Sequence, residues 1–381
     1  MKLLYLTEDY LYSKVHNNLL NALLNQDPSL VIYVFSPIRN NNRFGLGDSY
    51  THNERLIEIS PLIDISHLLY KFDFRAKIRC KVRLIETLIP IREIDVIHAG
   101  TLYSDGYTAL LLKKKYCIPY LATVRGADVM FYAKKMPHLW LKGINVIRHS
   151  GSIVCVTPSI KSRLLSMWFH RGVRSILNTS EVINNGIDNI WLNDISVQPK
   201  PIGSPIRVLY IGRFDSNKNV KRLVDAILTV KNKYPIRLTL IGGKGEEQDA
   251  VLKAVSEYPD NIEFRGAIYD KEELKKIVRK CDIFAMVSHS ETFGLVYAEC
   301  LTQGLPILYS IGTGFDGVFA QGEVGFGVDS YSKESIVNGL CYIFEHYTVM
   351  RQNIERVNFE RFSWVDISQK YREIYSSIEC S

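Results

Sequence analysis

Short apolar runs alternate with longer amphipathic stretches along the whole chain, the pattern of parallel βαβ architecture. In the first half the apolar runs predict strands at Lys2–Thr7, Leu30–Phe35, Asp95–Ala99, Tyr120–Val124 and Ser152–Val156, with helices at about 105–115 and 138–149. Residues Arg39–Tyr50, polar and without period, read as a mobile loop. The segment Gln198–Pro205, QPKPIGSP, reads as a linker because Pro and Gly crowd it. A second series follows. Its strands are predicted at Ile206–Gly212, Arg237–Gly242, Ile262–Arg265, Ile283–Val287 and Pro306–Tyr309, and its helices at Val220–Tyr234, Lys271–Lys280 and Leu295–Gln303. Helical stretches at Lys333–Tyr347 and Trp364–Ile378 close the chain. The expectation is α/β: two doubly wound domains, with ligands held at the carboxyl ends of the strands in a cleft between them.

The length of 381 residues suits two domains, and 46% hydrophobic with 23% charged residues is a globular composition. No apolar run reaches the length of a membrane span, and the N-terminus MKLLYLTEDY meets acids too early for a secretory signal. The seven Cys are scattered and form no CxxC, so neither a zinc site nor a disulfide framework is expected, and a reducing cytoplasm fits. The net charge of +7 is unevenly spread. Residues 1–200 carry +9 and the remainder −2, so the first half is the side expected to meet an anionic surface.

Candidate chemistry concentrates in Ser288–Gly304, SHSETFGLVYAECLTQG, where a strand gives way to a helix. The backbone amides of Gly294, Leu295 and Val296 stand at the helix start, an anion site by construction. Glu299 lies inside the helix, where a carboxylate can accept a pair of sugar hydroxyls, and Glu291 precedes it by eight residues. By itself the pair also reads as two solvated acids. The strand after the linker ends in Gly212-Arg213-Phe214, followed by Lys218-Asn219, two cations suited to a diphosphate. The strand LTLIGG ends at Gly243, where a nucleotide can lie against backbone.

The order GRF…KN, LIGGKGE, FRG and SETFGLVYAECLTQGLPI resembles the donor-binding half of the GT-B glycosyltransferases, and among them retaining family 4, whose hallmark is Glu-x7-Glu. Asn185-Gly186-Ile187-Asp188 and Phe362-Ser363-Trp364 resemble the segments at which that family's chain passes between its domains. The resemblance implies two facing Rossmann-like domains: an acceptor-side domain over 1–197 completed by the helix 364–381, a linker at 198–205, and a donor domain over 206–363. It also implies a retaining, metal-independent hexosyltransferase-type enzyme with a nucleotide-diphosphate sugar as co-substrate, no cofactor and no metal ligands. Arg213, Lys218 and Glu291 would be catalytic. Glu299, Phe293, Gly294, Leu295, Val296, Gly212, Gly243 and Arg265 would bind the donor. The chain departs from the family in its first half. Thr7–Ser13 lacks the glycine pair many members have there, and Arg125 of TVRGAD stands where many have His. Arg125, Asp128 and His98 are the acceptor-side candidates, with a structural pairing of Arg125 and Asp128 as the other reading.

Residues 72–88, FDFRAKIRCKVRLIETL, read as a basic amphipathic helix: Arg75, Arg79 and Arg83 fall four apart, with Lys77 and Lys81 beside them and Phe74, Ile78, Val82 and Ile85 as the apolar stripe. Either it is a half-buried helix with a solvated face, or it docks on an anionic membrane surface and presents a lipid-linked glycan acceptor. The second reading places the protein in the cytoplasm, peripheral on the inner face of the membrane, in cell-surface polysaccharide or glycolipid assembly. No nucleic-acid-binding signature accompanies the charge. A GT-B sugar-nucleotide epimerase and an inactive glycosyltransferase-like binding partner are the alternatives.

Overall fold

A computed structural model describes residues 1–38, 54–61, 73–198 and 200–379. The expected loop at Arg39–Tyr50 lies outside the described residues. The chain divides into two compact units. One takes in the described residues of Met1–Val156, Ile160–Gly186 and Trp364–Ser381; the other those of Thr157–Ser159 and Ile187–Ser363. The described residues of 198–205 fall within the second unit.

The first unit is built on a seven-stranded parallel sheet: β1 (Lys2–Leu6), β2 (Val31–Phe35), β3 (Leu56–Ile59), β4 (Val96–Ala99), β5 (Tyr120–Val124), β6 (Ser152–Cys155) and β7 (Glu181–Val182), in the order β3-β2-β1-β4-β5-β6-β7. Strands β4 and β5 are buried at every position, as strands covered by helices on both faces must be. The helix Trp364–Glu379 closes this core. Trp364, Ile367, Tyr371, Ile374, Tyr375 and Ile378 recur at helical spacing and pack with Leu3, Tyr5, Leu19 and Leu23.

The second unit holds a six-stranded parallel sheet: β8 (Ile206–Gly212), β9 (Ile236–Gly242), β10 (Ile262–Phe264), β11 (Ile283–Ala285), β12 (Ile307–Ser310) and β13 (Gly325–Val328), ordered β10-β9-β8-β11-β12-β13. The order reverses between β8 and β11, and in the first unit between β1 and β4. Such switch points open a crevice at the carboxyl ends, because the loops on either side run to opposite faces of the sheet.

Candidate functional site

In the second unit the loops after β8, β9, β11 and β12 are laced into one scaffold at the switch point. Glu247 N–H donates to Phe214 O at 2.8 Å and Ser216 N–H to the Glu246 carboxylate at 2.8 Å, joining the first two loops. His289 N–H donates to Asn217 O at 2.8 Å, and Asn217 Nδ2 to Ser290 O at 2.9 Å, joining β8 to β11. Glu291 N–H donates to Thr313 Oγ1 at 2.7 Å and Gly314 N–H to Glu291 O at 3.0 Å, joining β11 to β12. The strand ends approach so closely that Gly242, at φ +124°, leaves no room for a side chain: a Cβ would stand 1.9 Å from Gly212 O.

This scaffold brings Lys218 and Glu291 together, Nζ to Oε2 at 2.5 Å, with side chains 19% and 17% exposed. Asp215 organises the cations. One carboxylate oxygen accepts from Lys218 N–H at 2.9 Å and the other from the Arg213 guanidinium at 2.7 Å. Arg213 itself reaches outward, 73% exposed. Asn219, in the left-handed region at φ 56°, donates to Val287 O at 3.1 Å and Ser330 O at 2.8 Å, anchoring the loop beneath Lys218. Asp215 and Thr313 are absent from the sequence expectation, and Asn219 enters it only as the neighbour of Lys218, without a role. The αL-tolerant Asn directly before a helix was the one local signal for any of them.

Gly294, at φ +83°, turns the chain into the helix Leu295–Thr302, and no side chain caps that helix start. The amides of Leu295 and Val296 thus stand at an uncapped end. Phe293 is 1% exposed and packs on Phe315 and Phe362, so it offers the site backbone only. Glu299 keeps a partly exposed carboxylate that accepts no hydrogen bond among the described residues. Burial of its surroundings pushes it up to about 7, opposed by Lys271 and reinforced by Asp188. At Gly243 a Cβ would meet only ordinary contacts, Gln248 Oε1 at 3.5 Å and Phe264 at 3.7 Å.

Arg265 does not join them. Its Nε donates to Glu263 at 2.7 Å along the face of the sheet, where both residues line a separate pocket with Arg207 and Arg237. The acceptor-side candidates change as well. His98 is fully buried, with Nδ1 2.7 Å from Tyr375 Oη and Nε2 2.8 Å from Thr123 Oγ1; burial holds it well below the ordinary range, and neither nitrogen is free for a substrate. Asp128 is fully buried and accepts from the backbone N–H groups of Leu102, Tyr103 and Arg125 at 2.9–3.3 Å, so it braces the strand ends. Burial pushes it up to about 6. Arg125 is partly exposed and donates from Nε to Gly100 O at 3.0 Å; it is not ion-paired to Asp128.

The basic helix forms as Phe74–Leu88, capped by Asp73, whose carboxylate accepts from Arg75 N–H and Ala76 N–H. Only part of its charge faces out. Arg75, Arg79 and Arg83 are exposed. Lys81 is fully buried, 2.7 Å from Asp105 and 3.4 Å from Glu8, and Lys77 lies 2.5 Å from Glu8. These two lysines therefore belong to the interior of the first unit, because Glu8 and Asp105 draw them in. No helix among the described residues is long and apolar enough to cross a membrane, and no cluster of three or more His, Cys, Asp or Glu there could hold a metal ion.

Two family models match in sequence. Residues 193–358 match "Glycosyl transferases group 1" and residues 19–189 match "Glycosyltransferase Family 4". The chain belongs to the group 1 glycosyltransferases. A group 1 enzyme transfers a sugar from a nucleotide sugar, with retention and without a metal ion. The chain is 23% identical over 339 residues to an uncharacterized glycosyltransferase of Methanocaldococcus jannaschii, covering 87% of this chain and 88% of that one. It is 25% identical to the lipopolysaccharide core biosynthesis glycosyltransferase LpsE of Rhizobium meliloti, over 61% of this chain and 66% of LpsE. In fold it resembles the lipopolysaccharide outer core galactosyltransferase WaaB, with a TM-score of 0.72 at 15% identity over 99% of both chains. It also resembles Anabaena HepE, solved in complex with UDP, with a TM-score of 0.70 at 16% identity over 99% of this chain and 100% of that one. Both sheets are those of GT-B transferases.

Proposed function

We propose that this glycosyltransferase holds its donor over the β8–β11 switch point and delivers the sugar to a lipid-linked glycan during assembly of a cell-surface polysaccharide or glycolipid. The pairing of Lys218 with Glu291 carries the donor half of this reading. A bound diphosphate takes the Lys218 ammonium from Glu291, and Arg213 closes on the same oxygens, so positive charge meets the leaving group where its negative charge develops. The freed Glu291 carboxylate then accepts a hydroxyl of the transferred sugar. The amides of Leu295 and Val296 face the distal phosphate or the sugar, and the backbone at Gly212 and Gly243 allows the nucleotide close approach. Glu299, a carboxylate that accepts no hydrogen bond among the described residues and lies in desolvating surroundings, takes the two ribose hydroxyls.

With retention, the acceptor hydroxyl attacks the anomeric carbon on the face the diphosphate leaves. The bond from that carbon to the diphosphate oxygen breaks, the bond to the acceptor oxygen forms, and the hydroxyl proton passes to the departing phosphate. Arg125, charged throughout, serves as a hydrogen-bond donor to the sugars and not as a base. The exposed row Arg75, Arg79 and Arg83 supports docking on an anionic membrane, and LpsE and WaaB, named for lipopolysaccharide core assembly, support a lipid-borne acceptor. The deciding experiment incubates the purified protein with a panel of nucleotide sugars and follows nucleotide release. Turnover of one donor, lost in Lys218→Ala and Glu299→Ala, is expected. Unchanged turnover in both variants would place the donor elsewhere.

A further inference from the structure

The sheet of the second unit carries unbalanced charge on one face, from Arg207 and Arg237 at the starts of β8 and β9 to Arg265 just after β10. Arg207 and Arg237 are register partners on β8 and β9, and Thr239 partners Glu263 on β10. Alternation along the strands puts Arg207, Arg237, Thr239, Glu263 and Arg265 on one side. They line a cavity of about 270 Å³ with Lys280 from the helix Lys271–Lys280. Three guanidinium groups and an ammonium thus surround a space that holds a single carboxylate. Glu263 is already divided between Arg265, at 2.7 Å, and Arg237, at 3.6 Å. The Arg207 guanidinium has a neutral acceptor, Lys280 O at 3.2 Å. Nearby Asp282 is engaged by Lys200 and by the backbone N–H of Arg207.

Like charges on adjacent strands repel, and the faces of parallel sheets are ordinarily covered by apolar groups. Two arginines side by side, short of acids, are instead the arrangement that grips a phosphate through paired N–H forks. The site is not the donor site. Arg207 and Arg237 each stand five residues before the strand-ending glycines 212 and 242, a separation of roughly 16 Å along the strands. We infer that this pocket is a second anion site, taking a small phosphate-bearing molecule through Arg207 and Arg237.

The test is calorimetric titration of Lys218→Ala, whose donor loops are disabled, with pyrophosphate and in parallel with ribose 5-phosphate. A saturable binding event is expected to persist in Lys218→Ala. It should weaken at least tenfold when Arg207→Gln and Arg237→Gln are added, and fall as salt rises. Tighter binding of pyrophosphate assigns the pocket to free polyphosphate; tighter binding of ribose 5-phosphate assigns it to a phosphate ester. Thermal unfolding guards against a folding artefact. Without ligand, the Arg207→Gln/Arg237→Gln chain should melt no lower than the wild type, since a repulsion is removed. Pyrophosphate should raise Tm in Lys218→Ala alone and not once both arginines are replaced. Loss of all pyrophosphate binding in Lys218→Ala, or unchanged binding after both arginines are replaced, would overturn the inference.

Discussion

The ammonium of Lys218 and the carboxylate of Glu291, 73 residues apart in sequence, meet at 2.5 Å above the switch point of the second sheet. Each group holds the other in place as a neutral pair, and in the proposed function a donor diphosphate competes for the lysine. In that function Lys218→Ala removes the cation proposed to face the leaving diphosphate, and donor turnover is expected to fall by about 10²–10³-fold in kcat. Lys218→Arg keeps the charge and should recover only part of the rate, because a planar fork does not replace a compact ammonium. Nucleotide release from the preferred donor measures both.

Glu299 gives the enzyme a pH dependence whose sign follows from burial. Between the ordinary 4.5 of a glutamate and about 7, the folded chain keeps a proton that the unfolded chain has released. Stability contributed by this group therefore declines as pH rises through that window and is level above it. Glu299→Gln stays neutral throughout, so its Tm should exceed that of the wild type by about 3 °C or more at pH 8, the gap closing toward pH 4.5. Ligand binding runs the other way. If Glu299 takes the ribose hydroxyls as proposed, its ionised form is the better acceptor, so nucleotide affinity should rise with pH through about 7 and become flat in Glu299→Gln. Calorimetry from pH 6 to pH 8 would show it.

Adjacent glycines at the end of β9 separate crowding from backbone strain. Both have φ +124°. A Cβ at Gly242 would stand 1.9 Å from Gly212 O, whereas one at Gly243 finds its nearest atom at 3.5 Å. Gly243→Ala should cost about 1–3 kcal/mol of stability from conformation alone. Gly242→Ala adds a clash with backbone that cannot move without parting β8 from β9, and should cost clearly more and disrupt donor binding. Chemical denaturation of the two variants compares them directly.

The donor half was legible because its chemistry sits where local sequence announces it, at glycine-punctuated strand ends beside helix starts. What closes the site was hidden. Asp215 acts inside its own loop, on Lys218 N–H and the Arg213 guanidinium, where an Asp carries no motif of its own, and Thr313 acts through hydrogen bonds to Glu291 on another loop, which no spacing encodes. Strand β13, GFGV, carries two glycines and little β signal; it is held by pairing with β12. β3, LIEI, alternates too briefly to stand out and was missed for want of length. His98 looked available at a strand end, but its two hydrogen-bond partners come from 25 and 277 residues away. Arg265 follows β10 at its carboxyl end, beside Gly242, but its guanidinium is held by Glu263, two residues back on the same face, a pairing the motif order does not show.

The basic helix Phe74–Leu88 departs from the sequence expectation in one respect. Its buried positions are Ile78, Lys81 and Ile85, so Lys81 occupies the inward stripe where Val82 was expected to lie. There it neutralises Asp105, itself fully buried. Lys81→Met leaves that carboxylate buried and unpaired and should cost about 3–5 kcal/mol of stability, most of it recovered by adding Asp105→Asn. Arg79→Gln, two residues away on the exposed face, should leave stability within about 0.5 kcal/mol of the wild type. It should instead weaken sedimentation with phosphatidylserine vesicles by about fivefold, the effect of removing one cation worth about 1 kcal/mol at an anionic surface. A helix whose arginines serve only as a solvated face would show no change in vesicle binding for Arg75→Gln, Arg79→Gln and Arg83→Gln together. That result would remove the membrane from the proposed function and leave the donor site as argued.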